Sequence, residues 1–505
     1  MDACTIRATI ILFWLMISSS LNAQFTNWNW AFGDSCGMKF TSTGIDSNYI
    51  TAVNSRGTCA SISDVNGELL FYAASPDYNI WNSFIYERGA IYNKNHQVMQ
   101  NGLYIKTSAW YNEMVILPDP GNANEFYVFT AGITSTTNPG LRYSKVDLSQ
   151  NGGLGAVTQK NLMLDPMQIN DGIIAVKHGN GRDWWLIYKH GFPQNDSICR
   201  LLITPNGVSV QPKQNIGTFM ESSIYRLAIN QEGNLIAGVS IRSIIELFDF
   251  DRCTGLLSNH RYIRNNIGSQ DDKEYYWSVE FSGGGRYLYV STSDATCYLY
   301  QFDLQNANPW SSRVLLDSID TPLYPASTLR RGPDNRIYSA IGWYNGITFH
   351  YPYPDSAWNI YNTHLSVINH PDSAGLACDY QPFSVYLPGC RTYYGLPNNP
   401  DYTLGPLTGS PCDTLAIGIE ELQPDLLQIV PNPATTEIKL ASSSGNIRDG
   451  TFYRINDITG RTKLTGYLQG GTSTINVQSL APGVYLLEIL TQNGNALARF
   501  VKMQE

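Results

Sequence analysis

Cys59-Ala-Ser-Ile-Ser-Asp-Val-Asn-Gly-Glu-Leu-Leu-Phe-Tyr72 is a short apolar run, a tight turn and a second apolar run. The turn residues Asp, Asn and Gly accept the backbone angles of a tight hairpin, which β-branched and aromatic residues resist. The same shape returns at 114–130, 173–188, 224–239, 277–290 and 328–340, with starts spaced by 51 to 59 residues. A further apolar unit begins near Cys378, about another fifty residues on. Between the units lie more strand-like pieces, at 141–148, 245–250 and 297–304. Four short strands per fifty residues is the pattern of a β-propeller blade, whose small sheet shields its faces only by packing against neighbours in a closed array. The 32 Tyr, 18 Phe and 11 Trp supply the cores between blades. No comparable run of helical periodicity occurs, so the chain reads as all-β. Seven blades fit best. In that count 378–387 supplies strands of the last blade and 28–40 adds its missing outer strand. A six-bladed propeller with flanking strands is the rival, and a series of β-sandwiches fits the regular recurrence less well.

Residues 57–72, Ile91-Tyr-Asn-Lys-Asn-His-Gln-Val-Met99, 281–290 and 365–371 resemble the WD40-like propeller of Bacteroidetes surface proteins, over about 25–398. Where that family commonly has Thr-Asp-Gly-Val before Trp-Asn, this chain has Ala74-Ser-Pro-Asp-Tyr-Asn-Ile-Trp-Asn82, followed by an insert at 83–91. The longer loop implies a distinct surface.

The final stretch has its own signature. It contains Ile429-Val-Pro-Asn-Pro-Ala434, Tyr453-Arg-Ile-Asn-Asp-Ile-Thr-Gly460 and Leu480-Ala-Pro-Gly-Val-Tyr485. These blocks resemble the C-terminal sorting domain of type IX secretion cargo, with Pro431, Asn432, Pro433, Asp457, Gly460, Pro482, Gly483 and Tyr485 as the motif positions. Six short strand candidates between 437 and 503 describe a small antiparallel sandwich, of immunoglobulin-like form, over 423–505. The resemblance implies the type IX machinery as partner, and either release or attachment to surface lipopolysaccharide. An ordinary immunoglobulin-like module without a transport role is the plainer alternative. The preceding stretch, 399–422, is rich in Pro, Gly, Asn and Thr and reads as a linker. At the other end, residues 8–17 form an uncharged, mostly apolar run, followed by Leu21-Asn-Ala23. This is the order of a signal peptide covering 1–23, and the run is far shorter than the ~20 residues that span a bilayer. No later stretch suffices, so no transmembrane segment is expected in the mature chain. The expected location is secreted or attached to the outer cell surface.

Composition excludes more than it names. A formal net charge of -9 without a basic stripe leaves nucleic-acid binding unsupported. Nine cysteines are present, of which Cys4 leaves with the signal peptide. The eight that remain permit full pairing in an oxidising compartment. Cys253 with Cys297 is the pairing first expected, since both sit near strands about one repeat apart, and Cys412 is expected to tether the linker to Cys390. No CxxC pair, HExxH, Gly-x-Ser-x-Gly elbow or phosphate loop occurs, so no cofactor, metal or catalytic residue is expected. His364 and His370, with Asp372 and Asp379 nearby, have ligand chemistry but no ligand spacing, and read as loop histidines. Asp64-Val-Asn-Gly67 opens like a calcium loop but lacks the glutamate at the twelfth position, and reads as an Asx-type turn. Asp-Ser/Thr-apolar triplets, as at Asp413, resemble the O-glycosylation acceptor of exported Bacteroidetes proteins.

Three functions follow. The first is a binding or scaffolding propeller that engages protein or glycan through aromatic inserts, with Trp81, Tyr92, His96, Trp110 and Trp343 as candidate binding residues. The second is an extracellular hydrolase at the central channel, which requires two carboxylates, or histidine with carboxylate, in one pocket. The third is a structural spacer in a surface or motility assembly, which requires a large apolar side patch.

Overall fold

A computed structural model describes residues 26–75, 89–108, 110–132, 139–191, 197–219, 224–266, 274–320, 325–343, 357–413, 428–441, 451–457, 461–468, 474–491 and 494–504. The chain divides into two units, Met1–Thr414 and Leu415–Glu505. No described helix is long and apolar enough to cross a membrane.

The first unit is all-β. Its described residues form seven antiparallel sheets of three to five strands. Six of them open with the hairpins expected from the repeat: Cys59–Ser63 with Leu69–Ala74, Met114–Asp119 with Asn122–Gly132, Ile169–Lys177 with Trp184–His190, Tyr225–Ile229 with Leu235–Ser240, Tyr276–Phe281 with Tyr287–Thr292, and Ala326–Arg331 with Ile337–Gly342. Apart from the exposed start of Asn122–Gly132, these strands are buried at most positions, because both faces pack between neighbouring sheets. The turns are held by side-chain acceptors. Asp64 Oδ1 accepts from the Asn66 and Glu68 amides at 2.8 and 2.9 Å, and Asn230 Oδ1 accepts from those of Asn234 and Leu235 at 3.0 Å. Asp64 therefore has the Asx-turn role.

The remaining sheet lies at the other end of the repeat from where the sequence placed it. Instead of adding one outer strand to the last sheet, 29–54 form a sheet of their own: Asn29–Phe32, Asp34–Thr41 and Gly44–Asn54. Gly33, at φ +61°, makes its first turn, and a Cβ there would lie 2.4 Å from the Arg391 carbonyl oxygen. Tyr380–Tyr386 is then the outer strand of the last sheet. The first strand of each sheet packs beside the first strand of the next. The order returns to its start: Trp30 and Phe40 of the first sheet meet Tyr338 of the last, edge to face, at 5.7 and 5.6 Å. Arg391 adds an ion pair to Asp34 at 2.6 Å.

The disulfides differ from those expected. They are Cys36–Cys390 and Cys253–Cys412, and Cys59, Cys199, Cys297 and Cys378 are free and buried. Cys253 cannot reach Cys297 because they occupy opposite ends of equivalent strands. Cys297 opens the strand Cys297–Asp303, whereas Cys253 follows the strand Ile244–Phe250. Seven extended residues separate such ends by about 20 Å. Cys390 does not tether Cys412, because each is already bonded to a different sheet.

Residues 390–402 also pack inside the first unit and 403–413 run along it, although the composition from 399 on suggested a linker. Tyr402 is buried and donates to the Ile116 carbonyl oxygen at 2.8 Å, and the Leu407 amide donates to that of Gly179 at 2.8 Å.

The second unit contains two antiparallel sheets, Gln428–Val430, Glu437–Ala441 and Thr474–Asn476, and Phe452–Asp457, Thr462–Tyr467, Gly483–Thr491 and Gly494–Lys502. Ile438, Leu440 and Ile475 of one share a core with Ile455, Leu487 and Phe500 of the other.

Candidate functional site

The space bounded by the first strands of the sheets is filled by the chain itself. The Tyr394 amide donates to the Arg56 carbonyl oxygen at 2.9 Å, and Thr328 Oγ1 donates to that of Tyr394. Four residues on, Asn398 ties several sheets together. Its amide donates to the Cys59 carbonyl oxygen at 2.9 Å, its Nδ2 to those of Met114 and Ile173 at 3.0 and 2.9 Å, and its Oδ1 accepts from Arg330. Side chains at this depth would block the fit, so glycine is used: a Cβ on Gly395 would lie 2.0 Å from the Gly57 carbonyl oxygen. The segment leaves past Arg252, which donates to the Gly405 carbonyl oxygen at 2.5 Å, and is fixed at Cys253–Cys412.

Beside Tyr394 lies a buried cluster of charge and aromatic rings. Arg226 sits 3.9 Å over Tyr111 and 4.1 Å over Trp277, and 3.6 Å from Asp171 Oδ2. Arg56 sits 4.5 Å over Trp110 and 5.4 Å over Tyr394. Ring faces hold such cations electrostatically. Glu113 Oε2 accepts from the Tyr111 amide at 2.6 Å and from Thr58 Oγ1. Neither Glu113 Oε1 nor either oxygen of Asp171 has a hydrogen-bond partner among the described residues. Burial pushes both carboxyls up, Asp171 well above its ordinary value against the pull of Arg226. Two carboxyls in one place meet the residue requirement for acid–base hydrolysis. They do not meet the access requirement, since both side chains are buried and neither lines the open recess.

That recess, of about 360 Å³, opens where the central segment emerges. Asn230, Gln231, Glu280, Arg330, Arg331, Asn335, Asn399 and Asp401 give it a polar wall. Glu280 Oε2 accepts from the Arg331 amide at 3.1 Å, and Arg331 Nη1 donates to Gln231 Oε1 at 2.7 Å. Amides and guanidinium groups offer paired donors and acceptors to a hydroxyl-rich or anionic ligand.

The residues singled out from sequence separate in space. Trp110 and Trp343 join the aromatic cluster of Tyr111, Trp277, Tyr393 and Tyr394. Tyr92 and His96 belong elsewhere: Tyr92 stacks on Tyr72 at 5.0 Å, and His96 Nδ1 lies 3.2 Å from Tyr72 Oη. Burial lowers the His96 pKa. Trp81 lies outside the described residues. Arg56, Glu113, Asp171, Arg226 and Asn398 were missed. The available signal was a single charge at the start of an apolar inner strand, as in Glu113-Met-Val-Ile-Leu and Tyr225-Arg-Leu.

In the second unit the motif residues hold the last strand. Asn432 Oδ1 accepts from the Val501 amide at 2.9 Å and its Nδ2 donates to the Arg499 carbonyl oxygen at 3.2 Å. Asp457 pairs with Lys463 at 3.1 Å, and Tyr485 Oη donates to the Ala481 carbonyl oxygen at 2.9 Å. Pro431 and Pro433 flank Asn432, Gly483 pairs with Lys502 directly after Pro482, and Gly460 lies outside the described residues.

Residues 428–503 match the secretion system C-terminal sorting domain. No curated protein matches the chain. Among solved structures, the chain is similar to a putative 6-phosphogluconolactonase from Bacteroides fragilis NCTC 9343 (12% identity, 74% of this chain and 97% of that one, TM-score 0.43). It is also similar to the Cps50 (Swd1) β-propeller domain of Myceliophteria thermophila (10%, 63% and 94%, 0.34). A third is Hsv2 of Kluyveromyces lactis (13%, 62% and 88%, 0.32). At these scores the likenesses carry no argument about function. The sorting domain does carry one: it is consistent with type IX secretion cargo carrying an all-β, propeller-like body, and it supports a secreted or cell-surface location.

Proposed function

We propose that the first unit is a seven-bladed β-propeller, closed between its first and last sheets, that binds a glycan, free or on a surface protein, in the polar recess. The signal peptide is 1–23, and the second unit is an immunoglobulin-like sorting sandwich. The observation that supports binding over catalysis is the central segment. Residues 392–400 occupy the place where a propeller enzyme would admit substrate, while the open recess beside them presents amides, guanidinium groups and the carboxylates Glu280 and Asp401. Such a wall pairs with sugar hydroxyls.

The test is a glycan array with the full chain, followed by titration of whichever glycan is retained. Arg331→Ala should weaken that glycan about 10–100-fold, the worth of one hydrogen bond to a charged group. Absence of binding to any glycan would overturn this reading, and turnover of an ester or polysaccharide abolished by Glu113→Gln would replace it with the hydrolase.

A further inference from the structure

Asp165, His190 and Cys199 meet where the third and fourth sheets pack. Cys199 faces Tyr188 across the fourth sheet, and His190, two residues on, shares Tyr188's face. Asp165 ends the strand Ala156–Asp165 of the third sheet. His190 Nε2 lies 2.8 Å from Asp165 Oδ2 and 3.3 Å from Cys199 Sγ. Tyr188 Oη donates to the same Oδ2 at 2.7 Å. Asp165 Oδ1 accepts from the Met167 amide at 2.9 Å, which turns Oδ2 toward the cluster.

Hydrogen bonds satisfy the three groups in one histidine tautomer only. Nε2 carries either one proton or one lone pair. As a donor it serves Asp165, and the thiol is left to the Tyr188 hydroxyl, which itself donates to the same carboxylate oxygen; as an acceptor it faces a carboxylate oxygen lone pair to lone pair. A cation at the point of convergence satisfies all three. Thiolate plus carboxylate carry two negative charges in a buried place, which a divalent ion neutralises. Thiolate with imidazole selects the zinc class over magnesium or calcium. Ligands at the usual 2.0–2.3 Å from a tetrahedral zinc stand roughly 3.3–3.6 Å apart; the His190–Cys199 pair already has that spacing, the His190–Asp165 pair must open by about half an ångström, and the Asp165–Cys199 pair, within 4.8 Å, must close by no more than about 1.5 Å.

We propose that Cys199 Sγ, His190 Nε2 and Asp165 Oδ2 bind one zinc-class divalent ion between the third and fourth sheets, with water as fourth ligand beside Tyr188 Oη. His190 Nδ1 is buried without a hydrogen-bond partner among the described residues. The site therefore lacks the usual outer acceptor, and its affinity should fall about 10–100-fold below sites that have one. Sequence spacing could not reveal it, because the ligands are 25 and 9 residues apart on two sheets.

The test loads the metal-stripped full chain with Co(II), then Zn(II). One equivalent of Co(II) should bind with a thiolate-to-cobalt charge-transfer band, which Zn(II) should abolish. Cys199→Ser should lose the band, while Cys297→Ser, at a buried free thiol elsewhere, should keep it. Asp165→Asn should weaken binding about tenfold or more. No band in the wild type, or a band that survives Cys199→Ser, would overturn the proposal. Where circular dichroism shows Cys199→Ser unfolded, unchanged affinity in Asp165→Asn would overturn it equally.

Discussion

Two buried carboxylates show how the same depth gives opposite consequences. Glu246 is pushed up by burial, but His260 at 2.6 Å, the ammonium of Lys189 at 3.8 Å, Tyr225 Oη at 2.6 Å and Thr218 outweigh burial and lower its pKa. Its stabilising contribution is thus complete above the unfolded value of about 4.3 and is lost as pH falls through the lower folded value. Asp171 has the reverse sign. Its folded pKa is raised, so the folded chain holds that proton more tightly and stability falls as pH rises above about 3.9. Glu246→Gln should cost about 3–5 kcal/mol at pH 7, since it removes the carboxylate from a buried ammonium. That cost should shrink below pH 4. Asp171→Asn should be no less stable than the wild type at pH 7 and should gain on it as pH rises from 4. Denaturant melts of both variants at pH 4 and 7 check the pair of signs.

At the scale of elements, the central segment depends on close backbone approach. Gly395→Ala would place a methyl group against the Gly57 carbonyl oxygen and should cost about 1–3 kcal/mol, the usual penalty of overpacking, as read by urea denaturation. What was legible in the sequence follows from the same packing. Inner hairpins such as Met114–Asp119 with the second half of Asn122–Gly132, from Phe126 on, are buried on both sides, so they read as largely apolar runs. Outer strands are half exposed and lose that signal. Gly44–Asn54 carries Asp46, Ser47 and Asn48 on an exposed edge, which hid the first sheet and moved the expected seventh unit to the wrong end. The central segment was hidden differently. Asn398-Asn-Pro-Asp401 has linker composition, yet its amides replace the missing partners of strand ends from several sheets. Loop composition reports flexibility only when the surrounding carbonyl groups have other partners. The charged cluster was equally hidden, because nothing in sequence brings Glu113, Asp171 and Arg226 together from three sheets.

For the whole molecule, the two disulfides fix what packing closes. Cys36–Cys390 joins residues 354 apart at the seam of the first and last sheets, and in the chain-entropy view such a link removes about 6 kcal/mol of freedom from the unfolded chain. Cys253–Cys412 locks the far end of the segment that fills the centre. An exported protein meets oxidising conditions, where such links persist. The packing at that seam and the path of the central segment both require these two connections. Mass-spectrometric mapping of the non-reduced, secreted protein tests them most directly. Peptides linked through Cys36–Cys390 and Cys253–Cys412, with Cys59, Cys199, Cys297 and Cys378 recovered as free thiols, are the expected result. A Cys253–Cys297 or Cys390–Cys412 link would contradict both the closure and the path of the central segment.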